Sequence, residues 1–422
     1  MAKHRLILSS TAALMATVAV VGFQLVNPSI AAFRPSPKEV VDEVWQVINR
    51  EYVDGTFNKV DWQKTRKQYL SRDYASQADA YRAVREMLKN LDDPYTRFMD
   101  PEQFKSMQID TSGELTGVGI QLGMDEETKK LTVVSPIEDS PASKAGIISK
   151  DIVVKIGGKS TEGMDINQAV ALIRGPVNTK VTLGIKRGDR TFDVELTRSK
   201  IELHVVKADI RDTPTGKVGY IRLTQFNANA TADMRKAIQA QVDKNVGGFI
   251  LDLRSNPGGL LYSSAEIARM FIDNATIVST VDRKGESERL VANRQSLTDK
   301  PVVVLVDGGS ASASEILSGA LQDNKRAILV GTKTFGKGLV QSVVPLGDGS
   351  GMAVTIAKYF TPNGTDINRA GIKPDVVIEL TDAQKEQLMK NRTEIGSNED
   401  PQYAKALEVL TKRIKSPTAS LN

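Results

Sequence analysis

Three glycine-rich stretches hold the residues whose types could do covalent chemistry. In 307–316, three serines (Ser310, Ser312 and Ser314) sit among small neighbours where a strand gives way to a helix. A serine hydroxyl there could attack a carbonyl. The N–H of Ala313, in the first turn of the helix, would face the negative charge that develops. A serine-rich helix cap has the same composition. In 331–341, Lys337 lies between Gly336 and Gly338, and Gln341 follows four residues later. A lysine in water has a pKa of about 10.4 and is charged. Desolvation lowers that value, and a neutral amine can then take a proton. Gln341 could hydrogen-bond Lys337 and fix its rotamer without adding charge, whereas a carboxylate would raise the lysine pKa. A solvated turn lysine is the plainer reading of Lys337. In 252–260 a buried strand ends at Asn256-Pro257-Gly258-Gly259. Free N–H groups there could face an oxyanion, or the segment could be an ordinary strand-to-helix turn.

What the chain lacks narrows the chemistry. It has no cysteine and two histidines, His4 and His204. Thiol catalysis, disulfides and cysteine metal sites are excluded. A Ser-His-Asp triad could draw only on His204, and a zinc site with several imidazoles is out of reach. No metal or cofactor is expected. Residues 331–337 nearly match a phosphate-binding P-loop, but that loop needs Ser or Thr after its lysine and then a helix. Gly338 follows here, and 339–344 reads as a strand. Basic and acidic side chains number 56 and 51, for a net charge of +5. The excess is spread out, with no basic block carrying aromatics, so nucleic acid is not an expected partner.

These residues need elements to position them. A chain of 422 residues exceeds one ordinary core, and two to four domains are expected. Residues 1–32 read as a signal peptide: Lys3, His4 and Arg5, an apolar run from 6 to 26, then a small-residue exit. The run is long enough that an uncleaved anchor stays open, and it is the only expected membrane contact. Residues 33–100 are expected to be helical. Ser36, Pro37 and Glu39 form a capped start, and Val41, Val44, Trp45, Ile48 and Tyr52 share one face. A second helix is expected over 77–91, and both should pack on the following body. Residues 103–197 read as a small β-rich domain. It has strands at 118–122, 131–134 and 151–156, a helix at 165–174 and a last strand pair around 187–189. Residues 198–380 alternate strand and helix, the pattern of an α/β core. Residues 381–422 read as a charged helical tail.

The order of elements in 103–197 resembles a PDZ domain of the bacterial, circularly permuted kind. Thr116-Gly117-Val118-Gly119-Ile120 looks like its carboxylate-binding loop. Glycines let consecutive N–H groups turn toward one anion, and a strand edge can add an extended peptide. A ligand-free glycine-rich hairpin is the alternative. Arg174 could contact such a ligand, or serve as a helix-end cation. The block 310–316, with Thr334-Phe335-Gly336-Lys337-Gly338 and Gln341, is similar to the C-terminal processing peptidases, or tail-specific proteases, in both motif and separation. The Asn256–Gly259 turn and the PDZ-like domain match as well. The resemblance implies an α/β multidomain fold: a ClpP/crotonase-like catalytic core, an inserted PDZ-like domain and a helical N-terminal segment. It implies Ser312 as nucleophile, Lys337 as base, Gln341 as orienting residue, and Gly258 and Ala313 as oxyanion donors. A glutamate at the position of Glu315 is implicated in some members, although a helix-start charge explains it equally well. The activity implied is a serine endopeptidase cleaving exported proteins near their C-termini, with the PDZ-like domain capturing the free C-terminus. The implied location is extracytoplasmic, in periplasm or thylakoid lumen. Relatives of this layout in cyanobacteria and plastids mature a photosystem II reaction-centre protein. A non-catalytic PDZ-type peptide-binding scaffold and a P-loop-like nucleotide binder remain as alternatives.

Overall fold

The computed structural model describes residues 35–125, 128–285 and 287–416, so the expected signal segment lies outside the described residues. A six-stranded sheet forms the centre. Its order is Val206–Thr213, Gly216–Leu223, Phe249–Asp252, Val302–Val306, Ala327–Gly331 and Val376–Val377. The first pair is antiparallel and the rest are parallel. Side chains alternate across a strand. Ile221, Leu251, Val304 and Leu329 therefore face one side, under helices Ala230–Val242, Leu261–Arg269 and Ala313–Asp323. Tyr220, Ile250, Val303 and Val330 face the other, under helix Pro401–Lys415. The second of these helices ends at Arg269, and Phe271 and Ile272 beyond it are buried in the core.

The expected charged tail thus supplies a covering layer. Its anchor is ionic as well as apolar. The buried Arg254 guanidinium bridges Asp252, 2.7 Å away, and Asp400, 2.7 Å away, and also donates to Gln402. Burying this cation is tolerable because both carboxylates and their hydrogen bonds compensate the lost water.

A five-stranded sheet packs beside the first. Its long strand Gly351–Phe360 pairs with Leu339–Pro345 along one edge, and with Arg97–Met99 and Thr276–Asp282 along the other. The N-terminal helices close over it. Helix Pro37–Glu51 starts with the expected capping box of Ser36 and Glu39. Its buried Val41, Val44 and Ile48 join Val84 and Met87 of helix Gln77–Lys89, and also Met352 and Val354 of the long strand. This segment belongs to the body, as its apolar face required.

The β-rich unit is entered and left through one ribbon, Glu114–Gly117 paired with Ser199–Glu202. Between these strands lies a second six-stranded sheet with its own core, including Val118, Val133, Ile156 and Leu183. The strand expected over 118–122 is interrupted. Gly119 takes φ +77, and its Cα lies so close to Ser140 that a Cβ would clash. The chain therefore leaves one strand at Gly117 and enters the next at Ile120.

Candidate active site

Val302–Val306 ends at the carboxyl edge of the central sheet, and 307–311 leads into helix Ala313–Asp323. Ser312, at the joint, has φ 55° and ψ −114°. A side-chain-bearing residue is strained there and stays only where surroundings impose it. The neighbouring turn imposes it. Asn256, fully buried, accepts from Ala311 N–H at 3.0 Å and from the Ser314 hydroxyl at 2.8 Å through its carbonyl. Its side chain donates to Leu223 O at 2.8 Å. Asp307 accepts from Ser255 N–H at 2.8 Å, tying the two loops a second time. Gly258 presses on the serine, since a Cβ on it would lie 2.9 Å from Ser312 Cβ and 2.6 Å from Ala311 O.

Glu315 joins this turn to the lysine loop. It is fully buried, and four donors satisfy it. Oε1 accepts from the Thr334 hydroxyl at 2.6 Å and from Gly336 N–H at 2.7 Å. Oε2 accepts from Ser312 N–H at 2.8 Å and from Lys337 N–H at 2.9 Å. One carboxylate oxygen therefore lies between the backbones of Ser312 and Lys337. Behind them, the buried Tyr359 hydroxyl donates to Ser312 O at 3.1 Å and contacts Lys337 O. Glu315 was open in the sequence to two readings, a helix-start charge or the glutamate implicated in some members of the resembled family. Tyr359 gave no signal, being one aromatic in an apolar strand.

Lys337 is half-buried, and burial, reinforced by Arg97, pushes its ammonium below the usual lysine range. Asp93 and Glu315 pull the other way. Its Nζ makes no hydrogen bond with any described residue, Ser312 and Gln341 included, and lies over the Tyr95 ring. Gln341 Nε2 instead reaches Leu339 O at 3.4 Å. Of the two expected oxyanion donors, Ala313 N–H has no acceptor among the described residues, and Gly258 N–H donates to Asn256 Oδ1 at 2.9 Å. His204 pairs with Asp233, 3.2 Å away. After Lys337 the chain enters strand Leu339–Pro345, so the near-match to a P-loop has no helix for a phosphate to cap.

In the β-rich unit, Gly117, Val118, Gly119 and Ile120 form the gap between two strands, with Val118 and Gly119 carbonyls already bonded to Ala142 N–H and Ile137 N–H. The N–H groups of Val118 and Gly119 have no acceptor among the described residues. Arg174 is the C-cap of helix Ile166–Ile173, yet Arg198 serves that helix end, donating to Ile173 O at 2.7 Å and Leu172 O at 3.0 Å. The Arg174 guanidinium has no partner among the described residues.

Among those residues no cluster of acids or histidines could hold a metal ion. No described helix is long and apolar enough to cross a membrane.

Comparison with known proteins agrees with this architecture. Residues 217–378 match the model of peptidase family S41, and 132–187 match a PDZ domain. These matches are those of a serine-type peptidase carrying a PDZ domain. A carboxyl-terminal-processing protease of Synechocystis is 45% identical over 388 residues, covering 91% of this chain and 89% of the relative. A chloroplastic carboxyl-terminal-processing peptidase of Arabidopsis thaliana is 40% identical, covering 79% of this chain and 67% of that one. The solved structure of a photosystem II D1 C-terminal processing protease superposes with TM-score 0.56 at 36% identity, covering 87% of this chain and all of that one. The chain belongs to the carboxyl-terminal-processing protease family.

Proposed function

We propose that this chain is an endopeptidase that captures the free C-terminus of a protein and cuts near it with Ser312 and Lys337. The observation that carries the site assignment is the shared Glu315 oxygen, which fixes a strained serine and a half-buried lysine to one acceptor. A neutral Lys337 Nζ removes the Ser312 Oγ proton as Oγ bonds to the scissile carbonyl carbon. The carbonyl oxygen becomes an oxyanion that Ala313 N–H is free to meet, with Gly258 N–H as second donor if it leaves Asn256. The C–N bond then breaks, and the amine departs with the proton from Lys337. A water gives its proton to Lys337 and attacks the acyl ester; the ester bond breaks, Lys337 returns the proton to Ser312 Oγ, and the new C-terminus leaves. Gln341 steadies the lysine once it turns toward the serine.

The gap 117–120, with open N–H groups at Val118 and Gly119, and the unpaired Arg174 suit a terminal carboxylate. The likeness to the D1 processing protease supports a C-terminal extension on an exported protein of a photosynthetic membrane as substrate. It also supports action in the periplasm or thylakoid lumen, with membrane contact only through the N-terminal segment if that is retained.

A soluble protein bearing an apolar tail, offered with a free or an amidated C-terminus in EDTA, tests the proposal. Wild type should cut the free form, cut the amidated form poorly, and need neither metal nor nucleotide. Cleavage by Ser312→Ala at the wild-type rate would falsify the assignment.

A further inference from the structure

The ammonium of Lys337 lies 5.0 Å from the centroid of the Tyr95 ring, within the range where a cation is attracted to an aromatic face. It has no other direct partner among the described residues. Tyr95 is not a loose neighbour. Its N–H donates to Asp93 Oδ1 at 2.9 Å, and the Thr96 hydroxyl donates to Asp93 Oδ2 at 2.7 Å. Thr96 Oγ1 in turn accepts from Thr355 N–H at 3.0 Å, on the strand that also carries Tyr359. The backbone that carries the ring is therefore tied to the frame that holds the backbones of Ser312 and Lys337. It comes from the N-terminal segment, just before strand Arg97–Met99.

We infer that Tyr95 is a positioning residue: its ring is a resting perch for the Lys337 side chain, which the lysine leaves to take the Ser312 proton. This rests on the Ser312–Lys337 reading above. In the perched state the ring face favours the ammonium, against the burial that disfavours it, and Nζ makes no hydrogen bond to the serine. Release lets it lose its proton and engage. The N-terminal segment thereby sets how much of the enzyme is ready before substrate arrives.

The charged and titratable groups around Lys337 come from four elements. Asp93, Tyr95 and Arg97 come from the N-terminal segment, Glu315 from the helix after Ser312, Tyr359 from the long strand, and Arg369 from the loop on Gly336. Burial and Arg97 favour the neutral amine, whereas Asp93 and Glu315 favour the ammonium. The Tyr95 face adds to the second group, so removing only the ring face should ease deprotonation.

The test is the pH profile of kcat/KM for wild type, Tyr95→Leu, Tyr95→Phe and Tyr95→Trp, on a soluble protein with an apolar C-terminal tail. Leucine keeps apolar bulk and has no π face. Its acid limb should move down by about half to one pH unit, raising the rate at the acid foot about three- to tenfold. Phenylalanine keeps the face and should hold the limb in place, and tryptophan, with the stronger face, should move it up. A folded Tyr95→Leu with an unmoved limb, or Leu and Phe shifting alike, overturns the perch. If Tyr95→Leu does not fold, the Trp and Phe limbs decide, and equal limbs overturn it. Cleavage by Ser312→Ala at the wild-type rate removes the dyad itself, and the perch with it.

Discussion

Replacing Glu315 by glutamine keeps the shape of the side chain and changes one oxygen to an NH2 group. The carboxylate accepts four hydrogen bonds in a fully buried position. In its better orientation the amide oxygen still accepts from Ser312 and Lys337. The NH2 then meets the Thr334 hydroxyl, which can turn to accept, and Gly336 N–H, which cannot. One buried N–H is orphaned, at about 1–3 kcal/mol. The two retained bonds also lose their charge assistance, for a total of about 2–4 kcal/mol. In the other orientation Ser312 N–H and Lys337 N–H are both orphaned and the joint opens. Because a misplacement of about 1 Å can cost about 100-fold in rate, Glu315→Gln should lose at least that factor in kcat/KM. Urea unfolding and cleavage of a tailed protein measure the two effects. An unchanged urea midpoint, with activity within about threefold of wild type, would refute the claim that this carboxylate holds serine and lysine together.

Lys337→Met should raise the melting temperature at pH 7. Burial lowers the lysine pKa in the folded protein, so the ammonium costs stability below that value. The cost disappears as pH rises through the folded pKa toward the unfolded value of about 10.4, so the gain should shrink by pH 10. A gain equal at both pH values contradicts this sign. Arg254→Met leaves Asp252 and Asp400 buried without their cation and should cost about 3–5 kcal/mol. Limited proteolysis should then cut first between 396 and 415, and an unaltered digestion pattern would show that the bridge does not hold the C-terminal helix. Gly258→Ala must shift backbone, because φ is +99° and the new Cβ would meet Ala311 O at 2.6 Å. Cleavage should fall about 100-fold or more, and wild-type kinetics would contradict the tight approach of the two loops.

The turns around the proposed site were legible in the residues because they are local signals. Glycines mark the turns at 258 and 336 and a strand-to-helix change surrounds Ser312, whereas the near absence of histidine and cysteine narrows the base without choosing it, and the roles of Ser312 and Lys337 came from the family resemblance. The α/β alternation and the capped first helix are likewise short-range patterns. What the sequence hid depends on long-range pairing. The Arg97–Met99 strand joins the long strand near 351–353, a partnership across most of the chain. That pairing brings Tyr95 to Lys337. From the residues alone Glu315 could be an ordinary first-turn acid, and its four donors come together only when the lysine loop folds onto it. Arg198, not Arg174, serves the end of helix Ile166–Ile173 because it returns from a later strand. The tail became a structural layer because Asp400 reaches a buried arginine that sequence distance concealed.

The central claim is that Ser312 becomes nucleophilic through Lys337. A fluorophosphonate forms a P–O bond to an activated serine with loss of fluoride, so its site and rate report both residues at once. Peptide mapping after labelling should place the phosphonate on Ser312 in wild type and find none in Ser312→Ala. Labelling in Lys337→Ala should be slower by about 100-fold or more. A label on another serine, or wild-type labelling of Ser312 without Lys337, would contradict the account.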